Sequence, residues 1–141
     1  MKEILIINGP NLNLLGKREI DFYGSISFEE YYTVLKVNNS HINLSYYQSN
    51  HEGDLIDKIQ EVGFDIDGIV INAGAYTHTS IAIRDAIKAI PAPVVEVHIS
   101  NIYEREKFRR YSFLEDVCKK MFVGKGLPGY QEAIDFLVTE Y

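Results

Sequence analysis

The sequence predicts a three-layer α/β fold, with helices on both faces of a five-stranded, doubly wound parallel sheet. Two observations carry that expectation. Short strand-like and longer helix-like segments alternate along the chain with brief connections, and parallel strands need such helical crossovers. The first strand-like run, Ile4-Leu5-Ile6-Ile7, is also apolar without a break, as suits a strand buried on both faces.

Taken in order, Glu3–Asn8 reads as the first strand. Ser27-x-x-Glu30 resembles a capping box, and Phe28, Tyr31, Tyr32 and Leu35 follow the i, i+3, i+4, i+7 spacing of an amphipathic helix. Asn43–Ser49 reads as the second strand, and Leu55, Ile59 and Val62 mark a second helix that ends near Gly63. Gly68–Asn72 is the third strand, followed by a loop and a helix from about Ser80 to Ile90, which Pro91 and Pro93 close. Val94–His98 is the fourth strand and Met121–Val123 a short fifth. Tyr130, Ala133, Ile134, Leu137, Val138 and Tyr141 form the apolar stripe of a last helix. With no internal repeat and no linker, residues 1–141 are expected to form one domain, in a flavodoxin-like strand order 2-1-3-4-5.

Charge and composition narrow the function. Lys and Arg total 14 against 20 Asp and Glu, a net charge of −6, which argues against nucleic acid or an anionic membrane as partner. An anionic ligand would need local positive charge, and the one basic cluster runs from Arg105 to Arg110. The lone Cys118 has no intramolecular disulfide partner, and the N-terminal apolar run is too short for a signal-peptide core or a membrane span. A soluble cytoplasmic protein is expected.

In open parallel sheets, ligands bind beyond the carboxyl ends of the strands, where the strand order reverses. Those ends are polar here: Asn8-Gly9-Pro10-Asn11-Leu12-Asn13 after strand 1, Asn72 through His78 after strand 3, and His98-Ile99-Ser100-Asn101 after strand 4. No Gly-rich dinucleotide fingerprint or Walker-type phosphate loop accompanies them, and the first turn lacks the Ser/Thr-rich loop of a flavin-mononucleotide binder. With no Cys pair and no His-Glu-x-x-His run, no metal site is expected of His41, His51, His78 and His98. Taken alone, these residues give an α/β domain with a polar crevice.

The motifs go further. Asn8 through Gly16 with Arg18-Glu19 and Tyr23-Gly24, then Gln48-Ser49-Asn50-His51-Glu52-Gly53, then Asn72 through Asp85, follow one another in order. Glu96-Val97-His98-Ile99-Ser100-Asn101 with Arg105-Glu106 and Phe108-Arg109, and finally Gly126-x-x-Gly129-Tyr130, complete the series. Together, over nearly the whole chain, these blocks resemble the type II dehydroquinases. The resemblance implies dehydration of 3-dehydroquinate to 3-dehydroshikimate, in the shikimate pathway of aromatic amino acid biosynthesis or the quinate pathway. It implies an enolate route with anti elimination, no Schiff base and no cofactor.

Residue by residue, the resemblance makes Tyr23 the base and His98 the general acid. A tyrosine near its usual pKa of about 10 is protonated at neutral pH, so Tyr23 needs help from Arg18 on the same loop. A unit charge at ~4 Å with an effective dielectric of ~20 is worth about 4 kcal/mol, and one pKa unit costs about 1.4. Asn11 matches the residue that holds a water against the enolate. Asn72, His78, Ile99 (through its backbone), Ser100 and Arg109 match substrate-binding positions. Arg105 fits a supporting role, and the i, i+4 spacing of Arg105 and Arg109 places both on one face of a helical turn. Glu96, two residues before His98 on the same strand face, is expected to orient or tune the imidazole. Asp85 matches an aspartate that reaches a neighbouring active site, which implies a homo-oligomer, a dodecamer built from trimers. One departure stands out: Ile20 occupies a position where the family usually has Pro, which should loosen the loop carrying Arg18 and Tyr23.

Two other readings remain open at this point. A flavodoxin-like binding or signalling module would need a phosphate loop or a phosphoacceptor aspartate. A related fold carrying out another cofactor-free elimination would act on a different carboxylated ring.

Overall fold

The structure, a computed structural model, describes residues 1–17 and 25–141. Five parallel strands, β1 (Glu3–Asn8), β2 (Asn43–Gln48), β3 (Gly68–Asn72), β4 (Val94–His98) and β5 (Lys120–Val123), form one sheet in the order β2-β1-β3-β4-β5. The strand order and the parallel sense are those the sequence predicts. The described residues hold four α-helices: α1 (Phe28–Asn38), α2 (Glu52–Val62), α3 (Ile81–Ala89) and α4 (Pro128–Glu140).

The alternation of side chains along each strand assigns the helices to faces. Ile4, Ile6, Val70, Val95 and Val97 pack with Phe28 and Leu35 of α1 and with Tyr130, Ala133, Ile134 and Leu137 of α4. Leu5, Ile7, Ile69, Ile71 and Val94 face the other way, against Leu55 and Ile59 of α2 and Ile83, Ala86 and Ile87 of α3. Every residue of β3 and β4 is buried, which is why those segments carry no alternating polar residues on an open face. Local chemistry sets the helix starts. Ser27 Oγ accepts the Glu30 N–H at 3.1 Å while Glu30 Oε1 accepts the Ser27 N–H at 3.2 Å, completing the capping box. Ser80 caps α3 through the Ile83 N–H, and Pro128 opens α4.

The fourth β/α unit departs from the alternation of strand and helix. β4 reaches β5 through three short 3₁₀ turns, Ile102–Glu104, Lys107–Arg109 and Glu115–Val117, instead of a helix. Ile102 is the only buried residue of the first two turns, so no apolar stripe is present to hold a longer helix against the sheet. Among the described residues no helix is long and apolar enough to cross a membrane.

Two connections meet at the carboxyl edge of the sheet. The Gly9 N–H donates to the Asn72 carbonyl at 2.7 Å, and a Cβ at Gly9 would lie 2.3 Å from the Ala73 carbonyl oxygen, so only glycine fits where the loops leave β1 and β3. Beneath them, Tyr130 of α4 is fully buried; its hydroxyl donates to Asn8 Oδ1 at 2.8 Å and accepts from Asn72 Nδ2 at 3.0 Å. Burial pushes that phenol far above its usual range, so it stays a neutral hydroxyl that can serve both bonds. Tyr130→Phe strands an acceptor on Asn8 and a donor on Asn72 and is expected to cost about 1 to 3 kcal/mol. Urea unfolding should show it as a lowered midpoint at unchanged slope; a midpoint equal to that of the parent would remove the hydroxyl from this role.

Candidate functional site

The polar ends of β1, β3 and β4 enclose one crevice. Asn11, Asn72, His78, His98, Ile99, Ser100, Arg105 and Arg109 line it together, over an apolar wall that includes Leu12, Leu14 and Ile102. The residues singled out from three separated stretches of sequence therefore share a single site. Two arginines, Arg105 and Arg109, in the crevice of a chain of net charge −6 give it the local positive potential an anionic ligand needs.

Asn11 is the one described non-glycine residue with a left-handed backbone (φ 70°). Asparagine tolerates that conformation better than most side chains, and here its neighbours hold it. Its N–H donates to Asn50 Oδ1 at 3.0 Å, and the same oxygen accepts from Gln48 Nε2 at 3.1 Å. Gln48 Nε2 also reaches the Gly9 carbonyl at 3.1 Å, and the Tyr76 hydroxyl reaches the Asn50 carbonyl at 3.0 Å. The Gln48–Gly53 block was legible as a motif, but its task of holding Asn11 was not. On Asn72, Oδ1 accepts the Gly74 N–H and Nδ2 donates to Tyr130, leaving one amide hydrogen for a ligand.

Glu96 and His98 point to the same side of β4, as the strand alternation requires. Glu96 is fully buried, and its Oε2 meets His98 Nε2 at 2.5 Å. The same oxygen accepts from Ser112 Oγ at 2.6 Å and from Thr77 Oγ1 at 2.9 Å. Burial works against the charged form, but the bonds from His98, Ser112 and Thr77 outweigh it and hold the carboxyl below its ordinary value. With Nε2 committed to an anionic Glu96, Nδ1 is the His98 nitrogen left to serve a ligand.

His78 is fixed differently. Its Nδ1 lies 2.8 Å from the Tyr111 carbonyl, which can only accept, so Nδ1 carries the hydrogen. Burial lowers its pKa most, the Tyr111 bond and Glu96 oppose that, and His98 and Arg109 lower it further. The ring is therefore neutral at pH 7 and offers a lone pair at Nε2. It stacks on His98 with centroids 6.4 Å apart. Arg109 is steadied by Glu106, Nε to Oε2 at 2.7 Å.

Three sequence expectations come out differently or are not reached. Arg105 and Arg109 do not share a helical turn: Arg105 is extended between two 3₁₀ turns, Asn101 caps the first through the Tyr103 N–H, and the two side chains reach the crevice separately. Asp85 is exposed on α3 and does not line the crevice of its own chain. Arg18 and Tyr23 lie outside the described residues, as does Ile20. The residues not anticipated are Gln48 and Asn50 behind Asn11, Tyr130 behind Asn72, and Thr77 and Ser112 behind Glu96. Among the described residues no group of three or more His, Cys, Asp and Glu side chains is placed to hold a metal ion.

Comparison with known proteins gives a consistent answer. The family model for Dehydroquinase class II matches residues 2–138. A 3-dehydroquinate dehydratase of an Exiguobacterium species is 53% identical over 139 residues, covering 98% of this chain and 95% of the relative. The crystal structure of a type II dehydroquinase from Butyrivibrio crossotus superposes with a TM-score of 0.94 at 52% identity, covering 97% of each chain. That of a type II dehydroquinase from Propionibacterium acnes gives 0.95 at 36% identity, covering 99% of this chain and 97% of the other.

The depressed Glu96 carboxyl has a consequence for stability. Its contribution is fully present above the ordinary value of 4.5 and is lost as pH falls through the lower folded-state value. Urea unfolding at a series of pH values should show this loss in the parent chain. Glu96→Gln should be less stable at neutral pH and show a shallower acid dependence. Equal acid slopes in the two proteins would contradict the assigned state of Glu96.

Proposed function

We propose that this chain, which belongs to the dehydroquinase class II family, is a hydro-lyase that takes water from 3-dehydroquinate and releases 3-dehydroshikimate without a cofactor. The observation that carries the reading is the buried Glu96–His98 pair, set in the wall of a crevice that also contains Asn11, Asn72, Ser100 and Arg109. Such a crevice can grip a small polyhydroxylated carboxylate and offer a proton from one side.

In the proposed reaction Tyr23, as phenolate, takes the proton alpha to the ketone. Arg18 favours the phenolate by the charge argument already given. The C–H electron pair moves into an enolate, whose oxygen is met by a water that Asn11 holds. The enolate then collapses, its electrons form the ring double bond, and the β-hydroxyl departs as water with a proton from His98 Nδ1. Base and acid on opposite faces of the ring make the elimination anti. Glu96 steadies the imidazolium. Arg109, with Arg105 in support, pairs with the substrate carboxylate, and His78, Asn72, Ser100 and the Ile99 backbone bond its oxygens. The Ile99 carbonyl already accepts from the Gly126 N–H, so its N–H is the group for that contact.

Asp85 completes the site only from a neighbouring copy, so the proposal includes a homo-oligomer, trimers assembled into a dodecamer. Exposure of Ile81, Tyr103 and Phe108 supports association, since these are large apolar side chains on one chain's surface. A cytoplasmic place in the shikimate or quinate pathway completes the reading.

Ultraviolet absorbance after adding 3-dehydroquinate to chelator-treated protein tests the reaction, since the conjugated enone product absorbs. Product that still forms after borohydride treatment is expected; no product from folded protein would overturn the proposal. Tyr23→Phe and Arg18→Ala should each lower kcat by about a hundredfold or more with unfolding unchanged. A Tyr23→Phe variant close to the parent rate would take the base role away from that residue.

A further inference from the structure

The two oxygens of Glu96 are treated unequally. Oε2 meets His98, Ser112 and Thr77, whereas Oε1 is buried without a hydrogen-bond partner among the described residues. Both residues that supply these hydroxyls are held in place by further bonds. Ser112 Oγ accepts from the Leu114 N–H at 3.1 Å, so its own hydrogen is directed to Glu96. Thr77 is held through its carbonyl, which accepts the Phe113 N–H at 2.8 Å. Neither side chain lines the crevice. Each rides on a segment that does reach it: Thr77 directly precedes His78, and Ser112 follows Tyr111, whose carbonyl holds the His78 ring.

A carboxylate beside an imidazole can either hold the ring's proton in place or take it. The outcome depends on which of the two is the stronger base, and each hydrogen bond donated to a carboxylate weakens it as a base. We propose that Thr77 and Ser112 are positioning residues for the acid step: their hydroxyls converge on the one Glu96 oxygen that bonds His98, keep the carboxylate the weaker base of the pair, and so keep the Nε2 proton on the ring, which leaves the imidazolium able to give up its Nδ1 proton. The inference rests on His98 as the general acid. The other charged or titratable groups around the pair are His78 from the turn after β3, Arg105, Arg109 and Tyr103 from the segment after β4, and Cys118 just before β5. On the proposed mechanism Arg18 and Tyr23 join them, and all of these stay constant in the test.

Without one hydroxyl, Glu96 draws the Nε2 proton harder, and the ring becomes a poorer acid at Nδ1. Delivery to the leaving group slows, and the pair gives up its proton only at higher pH. Ser112→Ala and Thr77→Val should each lower kcat about tenfold, the scale of one bond to a charged group, with KM little changed. The alkaline limb of the kcat profile should move to higher pH, and Thr77→Ser, which keeps the hydroxyl, should recover both kcat and the limb. A limb that stays in place or moves to lower pH, as simple loss of the Glu96–His98 contact would give, overturns the inference; so does an unchanged kcat. If Ser112→Ala does not fold, the Thr77→Val and Thr77→Ser pair decides alone. His98→Gln separates the two levels: parent-like kcat in that variant removes the acid assignment and this inference with it. A slow His98→Gln beside unmoved limbs in the hydroxyl variants removes only the role of Thr77 and Ser112.

Discussion

A carboxylate with no exposed surface, in a strand buried on both faces, is the constraint around which this site is built. Taking such a charge out of water costs several kcal/mol unless protein donors replace the lost hydration. The donors at Glu96 come from three places: His98 on β4, Thr77 from the turn after β3, and Ser112 from the segment that leads to β5. Satisfying one side chain therefore fixes the relative positions of three stretches of chain. All three also carry crevice-lining residues: His98 itself, the His78 that follows Thr77, and the Arg109 that precedes Ser112. The same carboxylate that is expensive to bury registers the walls of the crevice.

A second constraint lies on the other face of the sheet. Tyr130 of α4 joins Asn8 at the end of β1 to Asn72 at the end of β3, and the close approach at Gly9 ties the two connections above it. The crevice is thus held from both sides of the sheet, by a hydroxyl on one face and a carboxylate on the other. This suits a site whose reacting groups need fixed spacing.

Most of the fold was readable because its signals are local and strong. The unbroken apolar run Ile4–Ile7, the Ser27–Glu30 capping box and the prolines after α3 each act within a few residues, and each element lies where they place it. The segment between β4 and β5 was not readable in the same way. Arg105 and Arg109 have helical spacing, yet spacing alone cannot sustain a helix that has no apolar face to bury, and the chain folds there into separate 3₁₀ turns. The crevice residues could be anticipated because strand ends at a topological switch point are where ligands bind. The residues behind them could not. Asn50, Thr77, Ser112 and Tyr130 act through contacts with residues 16 to 122 positions away along the chain, which no local pattern encodes.

The central claim is that proton removal and hydroxyl departure are served by different groups, with the Glu96–His98 pair serving only the second. Proton nuclear magnetic resonance of 3-dehydroquinate with the His98→Asn variant in deuterium oxide tests this most directly. The account predicts that deuterium enters the carbon alpha to the ketone while dehydration stalls. Dehydration at the parent rate, or loss of exchange together with dehydration, would contradict it.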